Sequence, residues 1–442
     1  MTEGSIRGNL IRFAVPIFIG HFFQQLYNTI DALIVGNLLG PGALAAVTST
    51  SSYIYLMTAF FMGFATGAGV IIARYIGAQD GRATEKAVHT AVSVGLIFSV
   101  IMTLCGLFLT QHVLSLMGTP QNVFDRSSLY CRIYFAGSLF QVMYNVFVGI
   151  LQAAGDSRHP LIYLAISSVV NIFLDILFIA GLHMDVDGAA LATVCSQCLN
   201  MVLVLRRLLT TKESIRVRPG RLRIDPESFR LILRYGVPTA MQGCVVDLSN
   251  MLIQSYINSF GSDAMAGLGV SSKIEGFSFL PVTAFSMALT TFISQNMGAG
   301  KRDRVRGGMR FGLTCTAAIL CVLGVILYAF APHLIRLFND DPAILVYGVT
   351  RTRICALFYV LVGFSHTASA VARGLGKPMT PMLVMLICWC LVRVVVLATL
   401  GQVVHDIRLV CWIYPITWAL SSVVYVFYLL DANKKLTASQ LS

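Results

Sequence analysis

Long apolar runs, one after another, constrain this chain more than any other feature. Each is about 20–25 residues, the length that crosses a hydrocarbon layer of about 30 Å as a helix. In lipid every backbone N–H and C=O must be satisfied within the spanning structure, which leaves helices or closed barrels. Barrel strands need only about 9–11 residues, so runs of this length read as helices. The sequence predicts twelve spans, at 10–36, 45–73, 86–110, 127–153, 159–181, 188–209, 228–260, 266–295, 307–330, 345–372, 379–401 and 408–431. Composition agrees: 56% of the 442 residues are hydrophobic and only 12% charged, about half the charged fraction of a soluble domain. The first run follows Arg7 and Arg12 but is too long for a signal-peptide core, and no small-residue cleavage site closes it. It is expected to stay as the first helix.

The net charge of +12 could point to nucleic acid in a soluble chain. Its placement argues otherwise. With both termini on one side, that side collects 24 of the 32 Lys and Arg residues. A bias of this size marks the cytoplasmic face, so both termini are expected there, in a plasma membrane. The basic residues then orient the chain and touch anionic lipid headgroups. Nucleic acid is not expected as a partner. Eleven cysteines are present, and Cys195 and Cys198 have redox or metal spacing. No second pair or histidine accompanies them, so they read as small apolar residues, and no metal site is expected.

The chain repeats itself. An offset of 221 pairs Gly77-Ala78 with Gly298-Ala299, His112 with His333, Arg132-Ile133 with Arg353-Ile354, Gly155 with Gly376, and Pro160 with Pro381. At the first helix the offset is 222, pairing Val15-Pro16 with Val237-Pro238 and Asn28 with Asn250. Six spans per half is an even number, so the halves share one orientation and their pseudo-twofold axis runs along the membrane normal. The expected fold is therefore all-α, with twelve transmembrane helices in two parallel six-helix bundles. The bundles are 1–209 and 228–442, joined by a basic cytoplasmic linker at 210–227. Two such bundles facing each other would leave a cleft, and rocking them would give alternating access. A duplicated pore or scaffold fits the repeat equally well.

Polar side chains inside the spans carry the functional signal. An ionisable group there costs at least about 2.5–3.5 kcal/mol on insertion scales. His21, Gln24, Asn28 and Asp31 are spaced 3, 4 and 3, and so share one face of the first helix. Ser168, Asn171 and Asp175 share a face of the fifth span. Gln141, Asn145 and Gln152 line the fourth, and Thr193, Ser196 and Asn200 the sixth. Asp31 and Asp175 each lie six residues, about 9 Å, below an outer helix end, and Thr193 enters to a similar depth. If these helices adjoin, Asp31, Asn171, Asp175 and Thr193 converge. Two close carboxylates do not both ionise cheaply, so a proton can bind. The same hard oxygens suit Na⁺ better than a transition metal. The plainer alternative is that these groups only bond helices together.

Other intramembrane charges are ambivalent at this level. Lys273 and Glu275 could neutralise each other or reach water near the outer end of their span, Arg393 could pair with Asp247 or snorkel, and Arg351 and Arg353 count with the outer side. Asp185 and Asp187 fall in an outer loop, where solvation is expected. Asp247, Lys273 and Glu275 stand as secondary site candidates. Pro16 interrupts the first helix and removes a backbone bond, so it is a candidate bend.

Taken in order, Val15-Pro16, Asp31 with Val35-Gly36 and Gly40, Ala153 to Gly155 with Pro160, Asn171 with Asp175, and Gly188-Ala189-Ala190 with Ala192-Thr193 form a recognisable set. With these marks the chain resembles the multidrug and toxic compound extrusion transporters over nearly its whole length. The resemblance implies export of organic cations in exchange for Na⁺ or H⁺, with no cofactor, no enzymatic activity, lipid as surroundings and a monomer. It is nearest to the branch of the DNA-damage-inducible transporters. That branch's cation site implies coupling roles for Asp31, Asn171, Asp175 and Thr193 and a kinking role for Pro16. Its substrate cleft implies lining roles for Gln24, Gln141, Asn145 and Ser168, with Asn28 on the same face. A second branch uses acidic residues of helices seven and ten. Here the tenth span has none and Asp247 is one position off, which favours the N-terminal site. The rival readings are a lipid-linked oligosaccharide flippase, a membrane enzyme and a channel. A nucleophile and base pair or a metal cluster, which an enzyme would need, is missing from the spans.

Overall fold

The structure, a computed structural model, describes residues 1–404 and 406–438. Residues 405 and 439–442, which the expected C-terminal bundle includes, lie outside the described residues. No strand is present among the described residues. The helices follow the apolar runs: α1 (Ile6–Leu39), α2 (Pro41–Gly77), α3 (Gly81–Leu116), α4 (Gln121–Ala136), α5 (Ser138–Ala153), α6 (Arg158–Asp175) and α7 (Val186–Thr210) in the first half. The second half holds α8 (Pro226–Asn258), α9 (Ser262–Gly298), α10 (Arg302–Arg336), α11 (Pro342–Ala356), α12 (Tyr359–Gly374), α13 (Met379–Val384), α14 (Val392–Val403) and α15 (Ile407–Ala438). Two π-helical segments, Ile176–Gly181 and Met385–Leu391, extend α6 and join α13 to α14.

Eight of these helical stretches are long and apolar enough to cross a membrane, and two bent pairs bring the number to ten. The expected fourth and tenth spans are those pairs. α4 meets α5 at 49° across Gly137, and α11 meets α12 at 57°. Among the described helices of this length only α1 and α8 fall short of that apolarity, because His21, Gln24, Asn28 and Asp31 dilute the first and Gln242, Asp247, Asn250 and Gln254 the second. Counting these, each half makes six passes.

The duplication shows in the backbone as well as in the sequence. Gly40 (φ +84°) and Gly261 (φ +93°) make the turns into α2 and α9. Gly155 (φ +92°) and Gly376 (φ +87°) occupy the corresponding turns after α5 and α12. A left-handed backbone is cheap only for glycine, so both halves kept it where the chain reverses.

By packing, the described chain divides into two units. The N-unit is Ile19–Ala240, and the C-unit is Met1–Phe18 with the chain from Met241 onward. The division runs through α1 and α8, two residues after Pro16 and Pro238. A proline removes one helix bond and crowds the preceding turn, so each helix changes company where its ladder is weakest. Within the N-unit, α2 and α8 pack at a small-residue contact: a Cβ at Gly63 or Gly67 would overlap backbone atoms of Ala240 or Gly236. Close approach through small residues is how helices gain contact in lipid. The N-unit core gathers Ile72, Val88, Val92, Phe147, Ile150 and Val204. The C-unit core gathers Leu10, Leu289, Phe292, Leu320, Tyr359 and Trp418.

Candidate functional site

The polar stripes of the first half meet inside the N-unit. α1 supplies Asp31, and the last turn of α6 supplies Asn171 and Asp175. These side chains are 9%, 1% and 0% exposed. The carboxyl groups of Asp31 and Asp175 come within hydrogen-bonding reach of each other. As carboxylates both only accept, and Oδ1 of Asp31 and both oxygens of Asp175 have no donor among the described residues. The amide nitrogen and oxygen of Asn171 are also unpartnered. A buried polar atom left alone costs about 1–3 kcal/mol, so this spot is locally expensive. One proton shared by the carboxylates, or one small hard cation, would relieve it.

Thr193 of α7 is buried and donates to the Ala189 carbonyl at 3.0 Å, leaving its own lone pairs available. Tyr27 of α1 lies beside Thr193 and close enough to Asp31 and Asp175 to feel their charge. It is a site neighbour that the sequence reading left out. The signal was there: Gln24, Tyr27, Asn28 and Asp31 follow the helical spacing 3, 1 and 3. Tyr130 and Tyr134 of α4 also face this region, with Tyr130 near Asp31 and Tyr27.

The residues implied to line a cleft are more scattered. Gln24 and Asn28 are exposed. Gln141 is half-buried and accepts from the Tyr134 hydroxyl at 2.7 Å. Asn145 donates to the Gln141 carbonyl at 2.9 Å, and Ser168, which is buried, donates to Leu164 at 2.8 Å. Pro16 sits within α1 without ending it.

In the C-unit the structure corrects several pairings. Glu275 does not neutralise Lys273, which is exposed. It pairs with Arg351 at 2.7 Å. Arg351 lies in α11, is 4% exposed, and also donates to the Ser272 hydroxyl at 2.7 Å. Arg393 neither snorkels nor pairs with Asp247. It is 1% exposed and donates to Thr417, Ser249 and Asn250, each at 3.3 Å. Its guanidinium stacks 4.9 Å from the Tyr414 ring centre, whose ring also receives Arg351 at 5.0 Å. Ring faces attract cations most strongly where water is excluded. Asp247 is half-buried. Asp185 is salt-bridged to Arg126 at 2.7 Å rather than merely solvated.

The sequence signature of the MatE family matches residues 16–177 and again 238–399. The chain belongs to the MatE family. The two matches coincide with the two halves, each beginning at its helix proline. One relative is the "Probable multidrug resistance protein YoeA" of Bacillus subtilis, 28% identical, with 98% of this chain and 96% of that protein covered. Two solved structures share the fold. "Crystal structure of MATE in the bent conformation" has a TM-score of 0.92 at 22% identity, covering 99% of this chain and 98% of that one. "Crystal structure of MATE in the straight conformation" has a TM-score of 0.91 at 23% identity and covers 98% of each. This MatE protein is thus a multi-pass membrane transporter of the twelve-helix, two-lobe fold, and not an enzyme.

Proposed function

We propose that this MatE protein is a secondary antiporter that exports organic, cationic or amphipathic compounds in exchange for H⁺ or Na⁺. On this reading it belongs with the DNA-damage-inducible branch and works by alternating access. It acts as a monomer, without a cofactor, in the plasma membrane with both termini cytoplasmic. The observation that carries the reading is the buried group of Asp31, Asn171 and Asp175, in which Oδ1 of Asp31, both amide atoms of Asn171 and both oxygens of Asp175 have no hydrogen-bond partner among the described residues. Thr193 completes the coupling set with its hydroxyl oxygen. The covalent halves 1–209 and 228–442 and the linker 210–227 are the moving parts and their tether.

The coupling cycle follows from charge. With the carboxylates empty, a cationic substrate is electrostatically favoured near them. Entry of H⁺ or Na⁺ at Asp31 and Asp175 removes that attraction and promotes release. Each net charge moved through the potential adds about 2.3 kcal/mol per 100 mV. Gln24, Asn28, Gln141, Asn145 and Ser168 contact the substrate along its path, and Asp247, Lys273 and Glu275 are secondary contributors. Pro16, placed where α1 passes from one unit to the other, lets the helix change its bend with the state of Asp31. Solved structures of similar fold described as a bent and a straight conformation are compatible with such a motion.

Dye efflux from proteoliposomes, with Na⁺ and pH gradients imposed separately, tests the reading. Gradient-driven efflux is expected for one ion and is expected to vanish in Asp31→Asn. Undiminished coupled efflux in that variant would sink the assignment. Binding of lipid-linked sugars in preference to cationic dyes would favour the flippase instead.

A further inference from the structure

The segment that joins the two halves is bound down to the start of α3. The Arg218 N–H donates to Nε2 of the buried His89 at 3.0 Å, and Nδ1 of His89 lies 2.7 Å from the Glu85 carbonyl. With Nε2 accepting from Arg218, the remaining ring nitrogen, Nδ1, faces the Glu85 carbonyl, so both edges of the ring are engaged. The Asp225 N–H donates to Thr90 Oγ1 at 3.0 Å. Asp225 in turn accepts from the Ser228 N–H and hydroxyl at 3.0 and 2.9 Å and from Lys86 at 3.1 Å. Glu85 takes Arg221 at 3.0 Å and Arg218 at 3.5 Å.

These contacts wall a cavity of about 490 Å³ within the N-unit. Arg82, Lys86, Arg221 and Arg223 line it against two carboxylates, Glu85 and Asp225. Both carboxylates are committed to the bonds just described. Arg82 and Arg223 have neither an ion pair nor a hydrogen bond among the described residues, so positive charge is left over. α3 has 36 residues, about 54 Å of helix against a hydrocarbon layer of about 30 Å. Its first turns therefore stand in the headgroup layer. Leu222 and Ile224 are exposed and alternate with Arg221 and Arg223, so apolar surface lies beside the basic cavity.

We propose that this cavity holds the phosphate headgroup of an anionic phospholipid and so clamps the linker onto α3. The guanidinium groups of Arg82 and Arg223 supply forked donors that match phosphate oxygens. Leu222 and Ile224 lie against the first acyl carbons. The cavity is within the small-molecule range of about 300–1,000 Å³, enough for a whole headgroup rather than a bare ion.

The test uses the full chain in nanodiscs of phosphatidylcholine with and without phosphatidylglycerol. Native mass spectrometry counts the phosphatidylglycerol retained, and hydrogen exchange follows residues 211–225. Wild type is expected to retain the anionic lipid and to protect the linker in its presence. The exposed-residue variant Arg82→Gln/Arg223→Gln is expected to bind it on the order of 30-fold more weakly, from about 1 kcal/mol per cation. Dye efflux in neutral lipid should stay unchanged, which separates this site from Asp31 and Asp175. If the double variant misfolds, Arg82→Gln alone should weaken retention about fivefold. Equal retention by wild type and variant would overturn the proposal. So would displacement of the lipid by millimolar inorganic phosphate, which would make this a site for the free ion.

Discussion

Replacing Asp175 by Asn should stabilise the protein and abolish ion-driven efflux together. Asp175 is fully buried, faces Asp31, and neither of its oxygens has a donor among the described residues. Two unsatisfied acceptors at about 1–3 kcal/mol each set the local penalty. Asn has the same shape, carries no charge, and offers an N–H₂ that Asp31 can accept from. One new hydrogen bond and the loss of a like charge should gain about 1–3 kcal/mol. Functional sites commonly hold such a deficit, and neutralising it exchanges activity for stability. Unfolding in mixed micelles, followed by helical circular dichroism, measures the first effect. Efflux from vesicles under imposed H⁺ or Na⁺ gradients measures the second and should fall to the level of protein-free vesicles. A variant that is less stable than wild type by 1 kcal/mol or more would refute the reasoning, because Asp175 would then be a satisfied structural partner. A more stable variant with full coupled efflux would refute the coupling role alone.

Other perturbations probe the frame. Glu275→Gln leaves Arg351 buried without its carboxylate and should cost about 3–5 kcal/mol in the same unfolding assay. The double change Glu275→Met/Arg351→Met should be near neutral or stabilising. Gly67→Val drives a side chain into the Gly236 backbone and should cost about 3 kcal/mol or more, read as lost monodisperse protein on size-exclusion chromatography. Gly243→Ala, with open space around its Cβ, should be tolerated. The Ser228 N–H and hydroxyl, and then Lys86, hold the Asp225 carboxyl below its ordinary value of 3.8. Its contribution to linker docking is therefore complete above roughly pH 4 and is lost as pH falls through the depressed value. The protection of 211–225, as exchange relative to the intrinsic amide rate at each pH, should therefore be flat from pH 8 to 5 in wild type. Asp225→Asn should be less protected throughout.

Much of the site could be read in the chain because its residues obey helical spacing. Asp31 and Asp175 announce themselves as costly groups at matched depth, and they meet. Tyr27 was equally legible from its place between Gln24 and Asp31, but a tyrosine in an apolar run carries no penalty that draws notice. The bends at Gly137 and between α11 and α12 were not legible, since hydropathy continues across them. The partner of Glu275 was not legible, because Arg351 lies 76 residues away along the chain.

The sequence by itself determined that this chain spans a membrane in twelve passes, that its halves repeat, and that Asn171 and Asp175 have the apolar counterparts Val392 and Val396 in the second half. Those properties rest on length, periodicity and side-chain chemistry, all of which are local. The tertiary structure decided which buried charges find each other, as Arg351 finds Glu275 and Arg393 finds Tyr414. It also decided that α1 and α8 each serve two units, and that the linker folds back on α3. Those outcomes depend on helices far apart in the chain packing side by side, where desolvation forces each polar group to take whatever partner the packing brings within reach.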